Sequence, residues 1–143
     1  MSRYTFHAQI DAPPESVYDL WTNLDRVGEW VEGSTRVTDV RGPYGETGTM
    51  YTQWFGRLSS PSEIVLGERP HRLITRFGNR VLRGRTEVTF ERHRSGTILT
   101  QVYDVEGLVP RLAARVFAMG SYRGSFQGEL NTFARLAERE AQA

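Results

Sequence analysis

Few side chains of this 143-residue chain are spaced for catalysis. The three histidines, His7, His71 and His93, lie far apart in sequence and form none of the short spacings that bind metals. Asp104 and Glu106 would share one face of a strand as an acid/base pair, but two carboxylates together favour a surface in water. Neither a G-x-S-x-G nor a G-x-G-x-x-G motif is present. The catalytic residues stay unknown, and we expect no metal and no cofactor.

The chain contains neither cysteine nor lysine. The absence of cysteine excludes disulfides, thiolate zinc sites and a cysteine nucleophile. The absence of lysine excludes a Schiff-base lysine and a lysine general base. Any proton transfer would therefore fall to a tyrosine, a histidine or a carboxylate.

Positive and negative charges are nearly balanced, with 18 basic residues, all arginine, against 17 acidic residues. A net charge of +1 gives no general attraction to nucleic acid, so we expect no nucleic-acid partner. One local concentration consists of Arg80, Arg83, Arg85, Arg92 and Arg94, interleaved with Glu87 and Glu91. The interleaving favours a solvated strand edge with cross-strand ion pairs over a phosphate-binding site.

No apolar run approaches the roughly 20 residues that a membrane-spanning helix needs. The first residues also lack an apolar signal segment. The sequence therefore predicts a cytoplasmic protein without a membrane span. An unpaired sheet edge would permit a homodimer without requiring one.

Hydrophobic periodicity divides the chain into elements. Residues 4–10 alternate between apolar and polar side chains, which predicts a half-buried strand. A helix is predicted to begin at Pro13 and Pro14, because proline is tolerated in a first turn, and residues 25–31 indicate a second short helix. Further strands are predicted at 35–41, 47–55, 62–66, 71–77, 81–92 and 97–105, and one long helix at 109–141. Short turns between the strands require antiparallel pairing.

Alternation along the strands predicts which side chains face the helix. In the last strand, the side chains predicted to point inward are Leu99, Gln101, Tyr103 and Val105, because the other set carries the two carboxylates. By the same argument the inward set includes Leu73, Thr75, Phe77, Val88 and Phe90. Strand 47–55 leaves two alternatives: the inward set is either Thr49, Tyr51, Gln53 and Phe55, or Met50, Thr52 and Trp54.

Residues 10–18, which read I-D-A-P-P-E-S-V-Y, resemble the opening of the START-like superfamily, also called the SRPBCC or polyketide cyclase/dehydrase-like group. Further similarities lie at 25–30, 48–49, 69–73, 96–97 and 130–133. The resemblance covers nearly the whole chain and implies a single α+β domain over residues 1–143. Its fold would be the helix-grip fold, a seven-stranded antiparallel sheet curled around a long C-terminal helix, with two short helices after the first strand.

The resemblance also implies a cavity between sheet and helix that usually takes an apolar ligand. It favours Tyr51 over its neighbours as an inward residue of strand 47–55. The predicted ligand-binding residues are Trp30, Tyr51, Gln53, Phe55, Phe77, Phe90, Gln101, Tyr103, Met119, Tyr122 and Phe126. The competing interpretation is a set of core aromatics whose polar tips bond to the backbone.

Two functions follow from the resemblance, and whether the protein is an enzyme stays open. The first is binding of a hydrophobic small-molecule ligand: a lipid, a polyketide or an aromatic compound. The alternative is an aromatase/cyclase or dehydratase that folds a reactive polyketone in the same cavity. A third possibility is an interaction protein whose cavity is vestigial. The lack of a convergent catalytic constellation favours binding.

Overall fold

A computed structural model describes residues 2–31, 33–78, 83–106 and 122–143. Its strands are β1 (Ser2–Ile10), β2 (Arg36–Arg41), β3 (Met50–Phe55), β4 (Leu58–Glu68), β5 (Arg72–Gly78), β6 (Arg83–His93) and β7 (Gly96–Glu106). Helix α1 spans Pro14–Trp21 and helix α2 spans Tyr122–Gln142. A single 3₁₀ turn at Val27–Glu29 stands where the second short helix was predicted.

The seven strands form one antiparallel sheet in the order β1-β7-β6-β5-β4-β3-β2. Successive strands from β2 to β7 are neighbours, and β1 crosses back to pair with β7. The sheet curls toward α2, so the predicted α+β helix-grip fold is confirmed. None of the described helices is long and apolar enough to cross a membrane.

Helix α1 begins where the two prolines predicted it. Pro14 occupies the first turn, where its missing N–H leaves no broken bond, and Glu15 lies near the positive end of the helix dipole. Val17 and Tyr18 are buried against the sheet. The Tyr18 hydroxyl donates to the carbonyl oxygen of Gly45 at 2.7 Å.

The β4 strand passes unusually close to this hydrogen bond. A Cβ atom at Gly67 would overlap the carbonyl oxygen of Gly45, so only glycine fits at position 67. The close approach joins β4, the loop before β3 and helix α1 into one tightly packed end of the molecule.

Helix α2 packs its apolar face on β1 and α1. Leu130, Phe133, Ala134 and Ala137 are buried at spacings of three and four residues, as a helix with one apolar face requires. The predicted helix began at residue 109, but residues 107–121 lie outside the described residues. The described part of α2 is sufficient to place one wall opposite the concave face of the sheet.

Candidate functional site

The concave face of the sheet is packed solidly at the end that meets α1. Its inward side chains there are at most 4% exposed: Ile64, Leu73, Val88, Phe90 and Leu99. Phe90 meets Tyr18 with ring centroids 5.2 Å apart. Phe90 is thus a core residue of this end, and its predicted contact with a ligand stays a prediction.

The same face is half-exposed toward its other end. We call this region the open half and define it by Tyr51, Phe77, Thr86, Gln101 and Tyr103, each only partly buried. The strand register places all of these side chains on the concave face. Most lie an even number of residues from a buried core residue of the same strand, and Tyr51 is connected through its cross-strand pair Ser62 to Phe77. Aromatic and amide groups here retain accessible surface although helix α2 lies opposite.

A chain of aromatic rings connects the open half to helix α2. Phe77 lies 5.3 Å from Tyr103, and Tyr103 lies 5.0 Å from Phe126 of α2. Phe126 also meets Phe6 of β1 at 5.9 Å. These centroid distances are those of favourable aromatic contacts. The predicted residues Phe77, Tyr103 and Phe126 are therefore brought together.

Tyr51 carries a polar group into the open half. It pairs with Ser62 of β4, whose partner on β5 is Phe77, so the register selects the first alternative for strand 47–55. Burial raises the pKa of Tyr51 to about 12, and a hydrogen bond with Ser62 lowers it only in part. The Tyr51 hydroxyl therefore stays protonated at neutral pH and acts as a hydrogen-bond donor or acceptor, far from the pKa that suits a general base.

Replacement of Tyr51 by phenylalanine should reduce the loss of stability in alkali. Because the folded-state pKa of about 12 lies above the unfolded value of about 10, the unfolded chain loses this proton first as pH rises from 10 to 12. Between pH 9 and pH 11 we expect the free energy of unfolding to fall by about 1 kcal/mol more in the unmodified protein than in Tyr51→Phe. Urea unfolding at both pH values measures this difference, and an equal fall in both proteins would contradict it.

Trp30 lies in an aromatic cluster beside the helices. Its ring is 4.5 Å from Trp21 and 4.9 Å from Phe133, and both rings belong to helices. The indole nitrogen Nε1 of Trp30 is buried and has no hydrogen-bond acceptor among the described residues. An unsatisfied buried donor of this kind costs about 1–3 kcal/mol of folding free energy.

The remaining predicted site residues are scattered. Gln53 donates from Nε2 to the Ser34 hydroxyl at 3.3 Å, and Phe55 is exposed at the end of β3. Met119 lies outside the described residues, and only the backbone of Tyr122 is described. The structure thus brings together part of the predicted set and leaves the ligand contacts themselves as predictions.

Thr86 of the open half and the buried Ser62 beside it were missed by sequence reasoning. Ser62 and Thr86 face inward beside Tyr51 and Tyr103. Thr86 follows from alternation, since it is two residues before the inward Val88. Ser62 follows in the same way, since it is two residues before the buried Ile64 and the bulge of β4 lies beyond that residue.

The candidate catalytic residues make their contacts outside the open half. Asp104 faces the opposite side of the sheet, where two hydrogen bonds from Arg3 hold the pKa of its carboxyl below the usual range. His7 is exposed, and its Nδ1 lies 3.2 Å from the Thr100 hydroxyl. Within the described ranges, no group of three or more histidine and carboxylate side chains is placed to hold a metal ion.

Comparison with known proteins gives a family match over residues 1–138, to the sequence model described as "Polyketide cyclase / dehydrase and lipid transport". No curated protein sequence is significantly similar to the chain.

Several solved structures share the fold. A protein from Mesorhizobium loti, MLL2253, matches with a TM-score of 0.74 and 18% identity over 96% of this chain and 98% of that chain. The di-domain ARO/CYC BexL from the BE-7585A biosynthetic pathway matches with a TM-score of 0.72 and 17% identity over 99% of this chain and 50% of the BexL chain. Ara h 8.0201 matches with a TM-score of 0.69 and 10% identity over 95% of this chain and 97% of that chain. At these identities the likeness concerns the fold alone.

Proposed function

The chain belongs to the polyketide cyclase/dehydrase and lipid transport family, and we propose that it binds an apolar small molecule between the open half and helix α2. The observation that carries this proposal is the partial exposure of Phe77, Tyr103 and Gln101 on the concave face. Side chains in this position would be buried if the protein filled the space itself, as Val88 and Leu99 are at the other end. An apolar wall with a few polar tips is typical of small-molecule sites.

The charge of the lining supports an uncharged ligand. The five residues that define the open half include no arginine, histidine or carboxylate, and Arg92, which has the inward parity of β6, lies at the α1 end, where it pairs with Glu15. A charged ligand would be desolvated there without a partner, which costs several kcal/mol. The apolar surface of the ligand supplies the favourable free energy.

The polar tips favour a ligand that carries oxygen atoms. The protonated Tyr51 hydroxyl and the Gln101 amide are hydrogen-bond donors on this wall. A polyketide or an oxygenated aromatic compound offers carbonyl and hydroxyl oxygens to such donors, whereas a plain hydrocarbon chain leaves them unpaired. We therefore favour an oxygenated polycyclic or chain compound within the class of apolar ligands.

An aromatase/cyclase or dehydratase activity is the second candidate. The family description and the fold shared with the di-domain ARO/CYC BexL support it. The chemistry of the open half favours binding, because a tyrosine with a pKa of about 12 is a poor proton-transfer group near neutral pH. Cyclisation of a linear poly-β-ketone mimic by the purified protein, lost in Tyr51→Phe, would support the enzyme instead.

Native mass spectrometry of the protein purified from its own host tests the proposal. We expect an added mass that is released by organic solvent and belongs to a neutral, apolar compound. A second arm titrates the unliganded protein with N-phenyl-1-naphthylamine, a neutral apolar probe whose fluorescence rises on burial. A protein that carries no compound and also leaves this probe in water would contradict both candidate functions.

A further inference from the structure

Seven side chains form a row across the convex face of the sheet, one from each strand. The strand register pairs them in sequence across β1, β7, β6, β5, β4, β3 and β2: Arg3, Asp104, Arg85, Arg76, Glu63, Met50 and Arg41. We call this set the outer row. With strands about 4.8 Å apart, the row is about 29 Å long. We infer that the outer row is a docking surface for an acidic segment of a partner protein.

An open trough of about 860 Å³ follows the outer row. Besides the row, its lining comprises Asp39, Thr52, Pro61, Gly78, Arg83 and Gly84. It also includes Tyr51, Ser62 and Phe77, which belong to the adjacent cross-strand row. Within the described chain both helices pack on the opposite, concave face, where Tyr18 meets Phe90 and Phe126 meets Phe6. The trough therefore has room for an extended segment.

The arginines of the trough exceed its carboxylates, five to three. Arg3 donates two hydrogen bonds to the carboxylate of Asp104, at 2.7 and 3.1 Å. Arg83 is the cross-strand partner of Glu106. No carboxylate whose side chain the structure describes lies within ion-pair distance of Arg41. The surplus positive charge is thus concentrated where the row has no internal partner.

At the centre of the row two like charges face each other. Arg76 and Arg85 are paired across β5 and β6, and their side chains are 67% and 55% exposed. Arg76 donates a 3.3 Å bond to Glu63, whereas Arg85 has a distant contact of 3.9 Å with Glu87, which already accepts a 2.9 Å bond from Arg72. Asp104, the cross-strand partner of Arg85, accepts two bonds from Arg3. Like charges directly opposite each other destabilise a sheet. A carboxylate placed between the two guanidinium groups would relieve the repulsion and accept paired hydrogen bonds.

The mixed composition of the trough favours a polypeptide over a nucleic acid. Asp39, Glu63 and Asp104 would repel a uniformly charged phosphate backbone. Met50, which is 50% exposed in the row, offers an adaptable apolar contact that a protein segment can use.

The sequence suggested a strand edge for Arg83 and Arg85, but β6 is a central strand, so these arginines lie on a broad face.

Fluorescence anisotropy with a labelled ten-residue peptide tests the inference. Glutamate at alternate positions of the peptide, with alanine between, gives an extended length of about 33 Å that matches the row. We expect binding that weakens as salt is added, and no binding of a matched peptide with glutamine in place of glutamate. In the double variant Arg76→Gln, Arg85→Gln the dissociation constant should rise about tenfold or more.

Arg92→Gln is the matched control on the same strand. Arg92 pairs with Glu15 of α1 and does not line the trough, so its replacement should leave peptide affinity unchanged. The thermal unfolding midpoint of the double variant checks that the fold survives, as these exposed positions allow. The inference would be overturned if the acidic peptide did not bind, or if it bound the double variant equally well. It would also be overturned if the protein bound tripolyphosphate but not the peptide. None of these outcomes depends on a ligand in the open half.

Discussion

Replacement of Phe133 by alanine is expected to lower the free energy of unfolding by about 3–5 kcal/mol. Phe133 is fully buried, and its ring meets Trp21 at 5.0 Å and Trp30 at 4.9 Å in edge-to-face contacts. Alanine leaves a void among three elements that cannot all collapse into it. Because domains are stable by only about 5–15 kcal/mol, this change removes a large share of the total. Urea unfolding followed by tryptophan fluorescence measures it.

Phe126→Ala on the same helix is the matched comparison. Phe126 is only half-buried, and its ring contacts Phe6 and Tyr103 at the edge of the open half. We expect a smaller loss of about 1–2 kcal/mol at Phe126, with weaker binding of apolar probes. Equal losses at the two positions would show that α2 packs as solidly over the open half as over the core, which would contradict the division of the concave face.

Much of the fold was predictable because its signals are local. Three signals depend on residues close in sequence: the alternation of β1 and β7, the two prolines before α1 and the apolar face of α2.

The sequence predicted a β4 strand that is too short. In the structure, β4 begins at Leu58 and contains Pro61, which pairs with Thr52 of β3 and precedes Ser62, the first residue that pairs with β5.

The orientation of β3 was ambiguous for a non-local reason. Trp54 is as apolar as its inward neighbours but lies on the convex face, where Arg36 of β2 covers its ring at 4.5 Å. Its indole nitrogen donates to the Thr38 hydroxyl at 2.8 Å. Both partners belong to another strand, so the periodicity of β3 alone contains no information about them.

The two surfaces of interest also depend on pairing between distant strands. Alternation indicates that Gln101 and Tyr103 face inward, but which half of that face is solidly packed depends on where α1 lies. The outer row joins Arg3 to Arg41 through five intervening strands, so no window of sequence contains it. Clustering along the chain instead singled out the arginines between positions 80 and 94, of which Arg83 and Arg85 line the trough.

Replacement of Thr86 by tryptophan is expected to weaken ligand binding by about 100-fold, a change of nearly 3 kcal/mol. Thr86 is half-buried at the centre of the open half, opposite Thr75 on β5 and Tyr103 on β7. If this region is hollow, the indole ring occupies the space of the ligand and buries apolar surface of its own. The free energy of unfolding should then stay within about 1 kcal/mol or rise. Titration with N-phenyl-1-naphthylamine measures binding, and urea unfolding measures stability.

Thr89→Trp provides the matched control, since Thr89 lies on the same strand but points to the convex face opposite Arg72. This variant should bind the probe like the unmodified protein. A solid interior gives the opposite pattern at Thr86: overpacking a filled core costs about 1–3 kcal/mol. Destabilisation of that size in Thr86→Trp, with probe binding unchanged, would mean that the protein's own atoms fill the concave face. The combination of lost binding with retained stability is the result that only a ligand cavity produces.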